Sequence, residues 1–117
     1  PSISFSAIRV YPLTGAAAAG ITKLTTEIGM KAMGNADEVG AAAVDYLRVC
    51  GHLVFAYFWA RMAKVALAKK DSGDPFYTAK LATARFYYAK LLPETAGLIR
   101  SARAGLAPLM EMEEALF

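Results

Sequence analysis

Cys50 and His52 are the one cysteine and the one histidine of this 117-residue chain. A thiol beside an imidazole is a pairing that nucleophilic catalysis uses, and it needs the two side chains within hydrogen-bond reach. Two residues apart on a helix, they point about 200° away from each other, so they form no local dyad. Cys50 reads instead as a small core residue and His52 as a surface or interface one. A lone cysteine leaves no internal disulfide and no cysteine-ligated zinc site. The Glu-x-x-His pair of di-iron bundles is missing too, as are Gly-rich phosphate loops and paired carboxylates. Glu94, directly after Pro93, reads as an acid stabilising the first turn of a helix rather than as a general base. The sequence therefore assigns no catalytic, cofactor-binding or metal-binding residue.

What remains is a set of charged residues with apolar neighbours. Asp45 and Arg48 stand three apart, a spacing that lets them pair on a helix surface, among Tyr46, Leu47 and Val49. Arg61, Lys80 and Arg85 sit among alanines and aromatics, as in Lys80-Leu81-Ala82-Thr83-Ala84-Arg85-Phe86-Tyr87-Tyr88. Basic groups interleaved with aromatics suit single-stranded nucleic acid through phosphate contact and stacking. Here Tyr77 and Tyr88 fall on an apolar stripe where packing takes their rings. The net charge of +3 includes no polybasic run beyond Lys69-Lys70. Nucleic acid is not expected as a partner, and Asp45, Arg48, Arg61, Lys80 and Arg85 are candidate interface residues.

The elements that must position them are helical. Apolar residues make up 56% of the chain, and 24 alanines stand against 11 Ile and Val. Alanine favours helices and β-branched residues favour strands, so the fold class is all-α. Residues 1–15 read as a leader or irregular lead-in, broken by Pro12 and Gly15. Residues 16–117 read as a helical bundle of three long helices running up, down and up.

The first helix spans about 16–33, with Ile21, Leu24 and Ile28 at helical spacing. Asn35 and Glu38 have the spacing of a capping box. The second helix then runs to about Lys70, with Leu47, Cys50, Val54, Phe58, Met62 and Val65 as one apolar stripe. From Leu53 to Ala60 it is apolar all round, which marks a central buried helix. Asp74 and Pro75 start the third as N-cap and first helical residue, and Pro93 kinks or restarts it.

The longest apolar block, Leu53–Ala60, is far short of the ~20 residues that cross a bilayer. No membrane span is expected, and residues 1–20 carry no signal-peptide pattern. The single thiol fits a reducing cytosol, so the expected location is cytoplasmic. A chain that begins with Pro1 reads as a piece of something longer.

Four stretches in order carry a resemblance: residues 43–52, 56–63, 76–87 and Leu91-Leu92-Pro93-Glu94-Thr95. The most specific parts are Asp45-Tyr46-Leu47-Arg48-x-x-Gly51-His52 and Tyr77-x-Ala79-Lys80-Leu81-Ala82-Thr83-Ala84-Arg85-Phe86-Tyr87. Together they resemble the extra C-terminal helical domain of one branch of the acyl-CoA dehydrogenases, the branch that includes methylmercaptopropionyl-CoA dehydrogenase. The resemblance covers about residues 20–117 and leaves residues 1–15 unmatched. It implies a parent flavoprotein that holds FAD and dehydrogenates an acyl-CoA between its α and β carbons. There a glutamate base takes the α-proton while hydride passes to the flavin. Those groups belong to an upstream dehydrogenase core, so the resemblance carries no catalytic or flavin-binding residue onto this chain.

The expected function is that of a non-catalytic packing and assembly domain, with the upstream core and further copies in a homo-oligomer as partners. A variant of this reading has the domain lining the acyl-CoA entrance, with Arg85 or Lys80 near the CoA phosphates. The alternative is a stand-alone helical homo-oligomeric interaction module.

Overall fold

The computed structural model describes the backbone from Ala7 and the side chains from Thr14 onward. The part of the expected leader that comprises residues 1–6 lies outside the described residues. Helix α1 spans Ala7–Gly34. It passes through Pro12 and Gly15, where the sequence predicted a break. Proline removes one donor from the ladder and glycine costs ~1 kcal/mol, but the alanine run at 16–19 keeps the helix continuous.

Helix α2, Asp37–Lys69, follows a tight turn and ends in a 3-10 turn at Lys70–Ser72. The start of α2 differs from the predicted capping box. Asn35 Oδ1 accepts the Asp37 N–H at 3.0 Å, whereas Glu38 turns away and accepts the Leu106 N–H at 3.0 Å. Helix α3, Pro75–Phe86, is capped as predicted: Asp74 Oδ1 accepts the Phe76 N–H at 2.9 Å.

The fold is all-α among the described residues, but the three long helices of the sequence reading are four. The third arm splits into α3 and α4 (Glu94–Arg103) around a π-helical turn at Tyr87–Leu91. Pro93 cannot continue the ladder, and the π turn inserts the extra residue that brings both Tyr87 and Tyr88 inward. Both are buried. A short helix α5, Ala107–Met110, and a 3-10 turn at Glu114–Leu116 follow.

Helix α2 is the spine, packed by α1, α3 and α4. Its first half meets α1 and α4 through Ile21, Val49 and Leu98 and through Leu24, Ala42 and Ala102. Its second half meets the α3 arm through Ala63, Ala66, Leu81 and Ala84, and through Ala56, Ala60, Tyr87, Tyr88 and Leu92. The residues α2 buries are Ala42, Val49, Ala56, Ala60, Ala63 and Ala66.

This overturns the predicted central burial of Leu53–Ala60. Val54, Phe55, Tyr57 and Phe58 are each half exposed or more. Alanine lets the neighbouring helices close up on α2, and the large side chains, on the far side of the helix, are left facing out.

The result is thin. Its extents are 67 × 29 × 17 Å and its radius of gyration is 18.9 Å, against about 13 Å for a compact chain of this length. It exposes 8136 Å², where a compact monomer of this mass exposes about 6,200 Å². By length and composition alone, α2 continued to Ser72 is apolar enough to cross a membrane, with a mean hydropathy of 1.3 in its best window. The short apolar block read from the sequence understated this, because the isolated charges on α2 barely lower the average over a longer stretch.

Candidate assembly surface

A seven-residue period sorts α2 into two seams. Ala42, Val49, Ala56 and Ala63 repeat every seven residues and are all buried. Val44, Gly51, Phe58 and Val65 repeat likewise, two positions later and therefore about 200° around the helix. Of these, Val44 is 72% exposed, Phe58 50% and Val65 53%. Met62 and Leu47 lie beside this outer seam and are also exposed. A row of large apolar side chains on one helix face is a candidate surface for a protein partner, a ligand or a membrane.

Between the spine and the π turn lies a polar cluster. Tyr87 donates its hydroxyl proton to the His52 carbonyl at 2.8 Å. The His52 ring places Nδ1 3.2 Å from the Tyr87 hydroxyl and Nε2 3.0 Å from Glu94 Oε2. Arg48 binds the other carboxylate oxygen, Oε1. The hydrogen bond from His52 holds the Glu94 carboxyl below the usual carboxylate range, helped by the Arg48 charge and opposed by partial desolvation. Burial, reinforced by neighbouring Tyr88, pushes the Tyr87 phenol up to about 12. A neutral phenol fastens α2 to the π turn and a salt-bridged carboxylate fastens it to α4; neither is poised to move a proton near neutrality.

The predicted residues do not form one site. Asp45 is partly buried, and among the described residues no ion pair joins it to Arg48, which reaches Glu94 on α4 instead. Arg48 and Asp45 lie on the first half of α2. Arg61, on the second half of α2, comes together with Lys80 of α3, where both line a groove of about 340 Å³ with Phe58, Met62, Val65 and Phe76. Arg61 stands 5.7 Å over the Tyr57 ring, and Lys80 Nζ stands 5.2 Å from the Phe76 ring centre. Arg85 is exposed in the last turn of α3.

Sequence reasoning missed the Glu94–His52–Tyr87 cluster. Arg48 and His52 are four apart and so share a face, which signals a need for an acid opposite, but only the fold shows that it is Glu94. A second groove of about 560 Å³ runs between α1 and α2 along Ile28, Val39, Ala43, Tyr46 and Leu47. There Tyr46 and Thr25 hydroxyls meet at 2.6 Å. No group of three or more metal-ligating side chains occurs among the described residues.

No curated protein and no solved structure matches the chain. Residues 10–113 match the family described as acetyl-CoA dehydrogenase C-terminal like. The match begins inside the segment that the sequence resemblance left out, where α1 is already helical. Spanning nearly the whole chain, it shows that this helical domain belongs to the acetyl-CoA dehydrogenase C-terminal-like family.

Proposed function

We propose that the chain is a non-catalytic packing and assembly domain of an FAD-dependent acyl-CoA dehydrogenase, in the branch that includes methylmercaptopropionyl-CoA dehydrogenase. The observation that carries this reading is the sorting of α2, with alanines inward and Phe58, Met62 and Val65 outward. A domain meant to stand alone in water gains by burying its largest apolar groups, at ~25 cal/mol per Å². Helix α2 instead buries chiefly its alanines and leaves Phe58, Met62 and Val65 for a neighbour.

On this reading the neighbour is the upstream dehydrogenase core, with further copies completing an oligomer in the cytoplasm. FAD, when bound, supplies the hydride acceptor for α,β-dehydrogenation of an acyl-CoA. The residues here do not fit that cofactor: the α1–α2 groove is walled by Ile28, Val39 and Leu47, with no cluster of polar donors for a pyrophosphate. We therefore place the flavin in the core and assign no reaction step to this chain. The α2 spine serves as a packing face rather than a bilayer span. Arg48 and Arg61 bracket its most apolar stretch, and α1, α3 and α4 pack along it.

The exposed seam equally suits a stand-alone module that self-associates, and one experiment separates the two. The native protein is detected in its own cells with an antibody against this chain, then purified. A band several times heavier than 12.5 kDa, yellow with bound flavin, supports the dehydrogenase reading. A band near that mass with no flavoprotein partner sinks it and leaves the self-associating module.

A further inference from the structure

We infer that the basic-rimmed apolar groove on the second half of α2 receives residues 107–117 of a second copy of this chain. The inference deepens the assembly part of the reading above and rests on it, by naming the surface and its occupant.

The groove is apolar at its floor, with Phe58, Met62, Val65 and Phe76, and basic at its rim, with Arg61 and Lys80. Neither rim charge has an ion-pair partner among the described residues; each lies over an aromatic ring instead. The surrounding segment 53–92 holds seven Lys and Arg against two Asp. An occupant that fits must be apolar and acidic.

The last segment of the chain has that chemistry. Leu109, Met110, Met112, Leu116 and Phe117 are all more than half exposed, and Glu111, Glu113 and Glu114 lie between them with no basic residue after Arg103. Residues 1–13 offer no such match, because they contain no acidic residue. The α1–α2 groove is a poor seat for an acidic segment, since the stretch of α2 that lines it, 39–50, follows directly on Asp37 and Glu38 and includes Asp45.

Geometry places the contact between copies. The segment is rooted where the Leu106 N–H meets Glu38 at 3.0 Å, at the first turn of α2. The groove is centred near Met62, about 36 Å further along the helix at ~1.5 Å per residue. Met112, the middle of the segment, lies six residues from the root, a reach of at most about 22 Å at ~3.6 Å per residue. Helix α5 and the 3-10 turn shorten it further. A chain cannot seat this segment on itself, but two chains related by a two-fold axis can each seat it on the other.

The test uses the whole chain and a charge swap. One variant carries Arg61→Glu and Lys80→Glu; the other carries Glu111→Lys, Glu113→Lys and Glu114→Lys. Association is followed by sedimentation velocity from about 0.05 to about 0.5 M salt, with circular dichroism to confirm folding. The wild type is expected to dimerise at low salt and to weaken as salt rises. Each variant alone should associate more weakly, on the order of tenfold. An equimolar mixture of the two should regain the dimer, because both contacts are then between opposite charges.

A wild type that stays monomeric, variants that dimerise as well as the wild type, or a folded mixture that fails to recover would each overturn the inference. So would flotation of the monomer on vesicles containing phosphatidylserine, which would assign the groove to an anionic lipid surface. A heavy, yellow native protein whose self-association ignores salt removes this inference and leaves the dehydrogenase reading. Salt-sensitive, swap-restorable dimers without a flavoprotein partner do the reverse.

Discussion

Tyr87 and His52 hold each other from both ends: the phenol donates to the His52 carbonyl at 2.8 Å, and the His52 ring returns to the phenol oxygen at 3.2 Å. Next to it, Tyr88 donates to the carbonyl of Ala56, one turn further along α2. The π turn makes this possible by directing two consecutive tyrosines at two consecutive turns of the same helix.

Replacing Tyr87 with Phe keeps the ring and removes the hydroxyl, leaving the His52 carbonyl to the helix ladder alone. The expected loss is about 1 kcal/mol of unfolding free energy, read by urea denaturation. The phenol also gives the chain an alkaline limit. Its pKa is raised from 10.0 in the unfolded chain to about 12 in the fold, so the folded state favours the protonated form. That contribution is complete below about pH 10 and is lost as pH rises through 12. An absorbance titration of tyrosinate in wild type and Tyr87→Phe should show one late-titrating phenol fewer in the variant.

Glu94 acts with the opposite sign. Its carboxyl is held below the ordinary value by the hydrogen bond from His52 and the charge of Arg48, so the folded state favours the ionised form. Its contribution is present above about pH 4.5 and fades as pH falls through the lowered value. Thermal melts of Glu94→Gln and wild type should differ at pH 7 and converge towards acid. Equal gaps at pH 7 and in strong acid would show that the pair contributes through shape and not charge.

The two seams of α2 should respond in opposite ways to substitution. Ala63 is 2% exposed, and Ala63→Leu forces extra methylenes between α2 and α3, at an expected cost of ~1–3 kcal/mol. Val65, two residues away, faces outward, and Val65→Ser should leave the unfolding free energy of the isolated chain within ~0.5 kcal/mol. Denaturant melts of both at low protein concentration check the contrast, and equal destabilisation would reverse the inside–outside assignment.

Gly105 closes α4 with a φ of 75°, a conformation that costs other residues ~1–2 kcal/mol. A Cβ there would stand 3.0 Å from Glu38 Oε2 and 3.2 Å from Lys31 Nζ. Those are the groups that receive the Leu106 N–H and bind the Arg103 carbonyl. Gly105→Ala should therefore lower stability by about 2 kcal/mol in chemical denaturation, whereas Gly29→Ala, inside α1 where a Cβ meets open space, should raise it by about 0.5–1 kcal/mol.

Much of the fold was legible because helix signals are local. The alanine excess, the Asp74-Pro75 start and the Pro93 restart each act within one or two turns, and each appears where the residues place it. One failure is the break expected at Pro12 and Gly15, which α1 passes through; the others concern α2. Hydrophobic size suggested that Phe58, Met62 and Val65 face the core, but burial depends on which face the neighbours choose. The sevenfold spacing of Ala42, Ala56 and Ala63 was visible and pointed to the true seam. Glu94 could not be linked to Arg48 and His52 by spacing, because 42 residues separate it from His52 and only the fold of the α3–α4 arm brings it back. The Asp45–Arg48 pair failed for the same reason: a helix neighbour three residues away lost to a carboxylate from another helix.

The outward seam also raises a question of dosage. Copies of this chain made in excess of whatever covers Phe55, Phe58 and Val65 present sticky, half-exposed side chains to one another and to the rest of the cell. Their melting temperature will rise with the concentration of the covering partner, as it does for any fold that is completed by binding. On the dehydrogenase reading proposed above, domain and partner share one polypeptide, which would fix their ratio at one and leave no orphan copy.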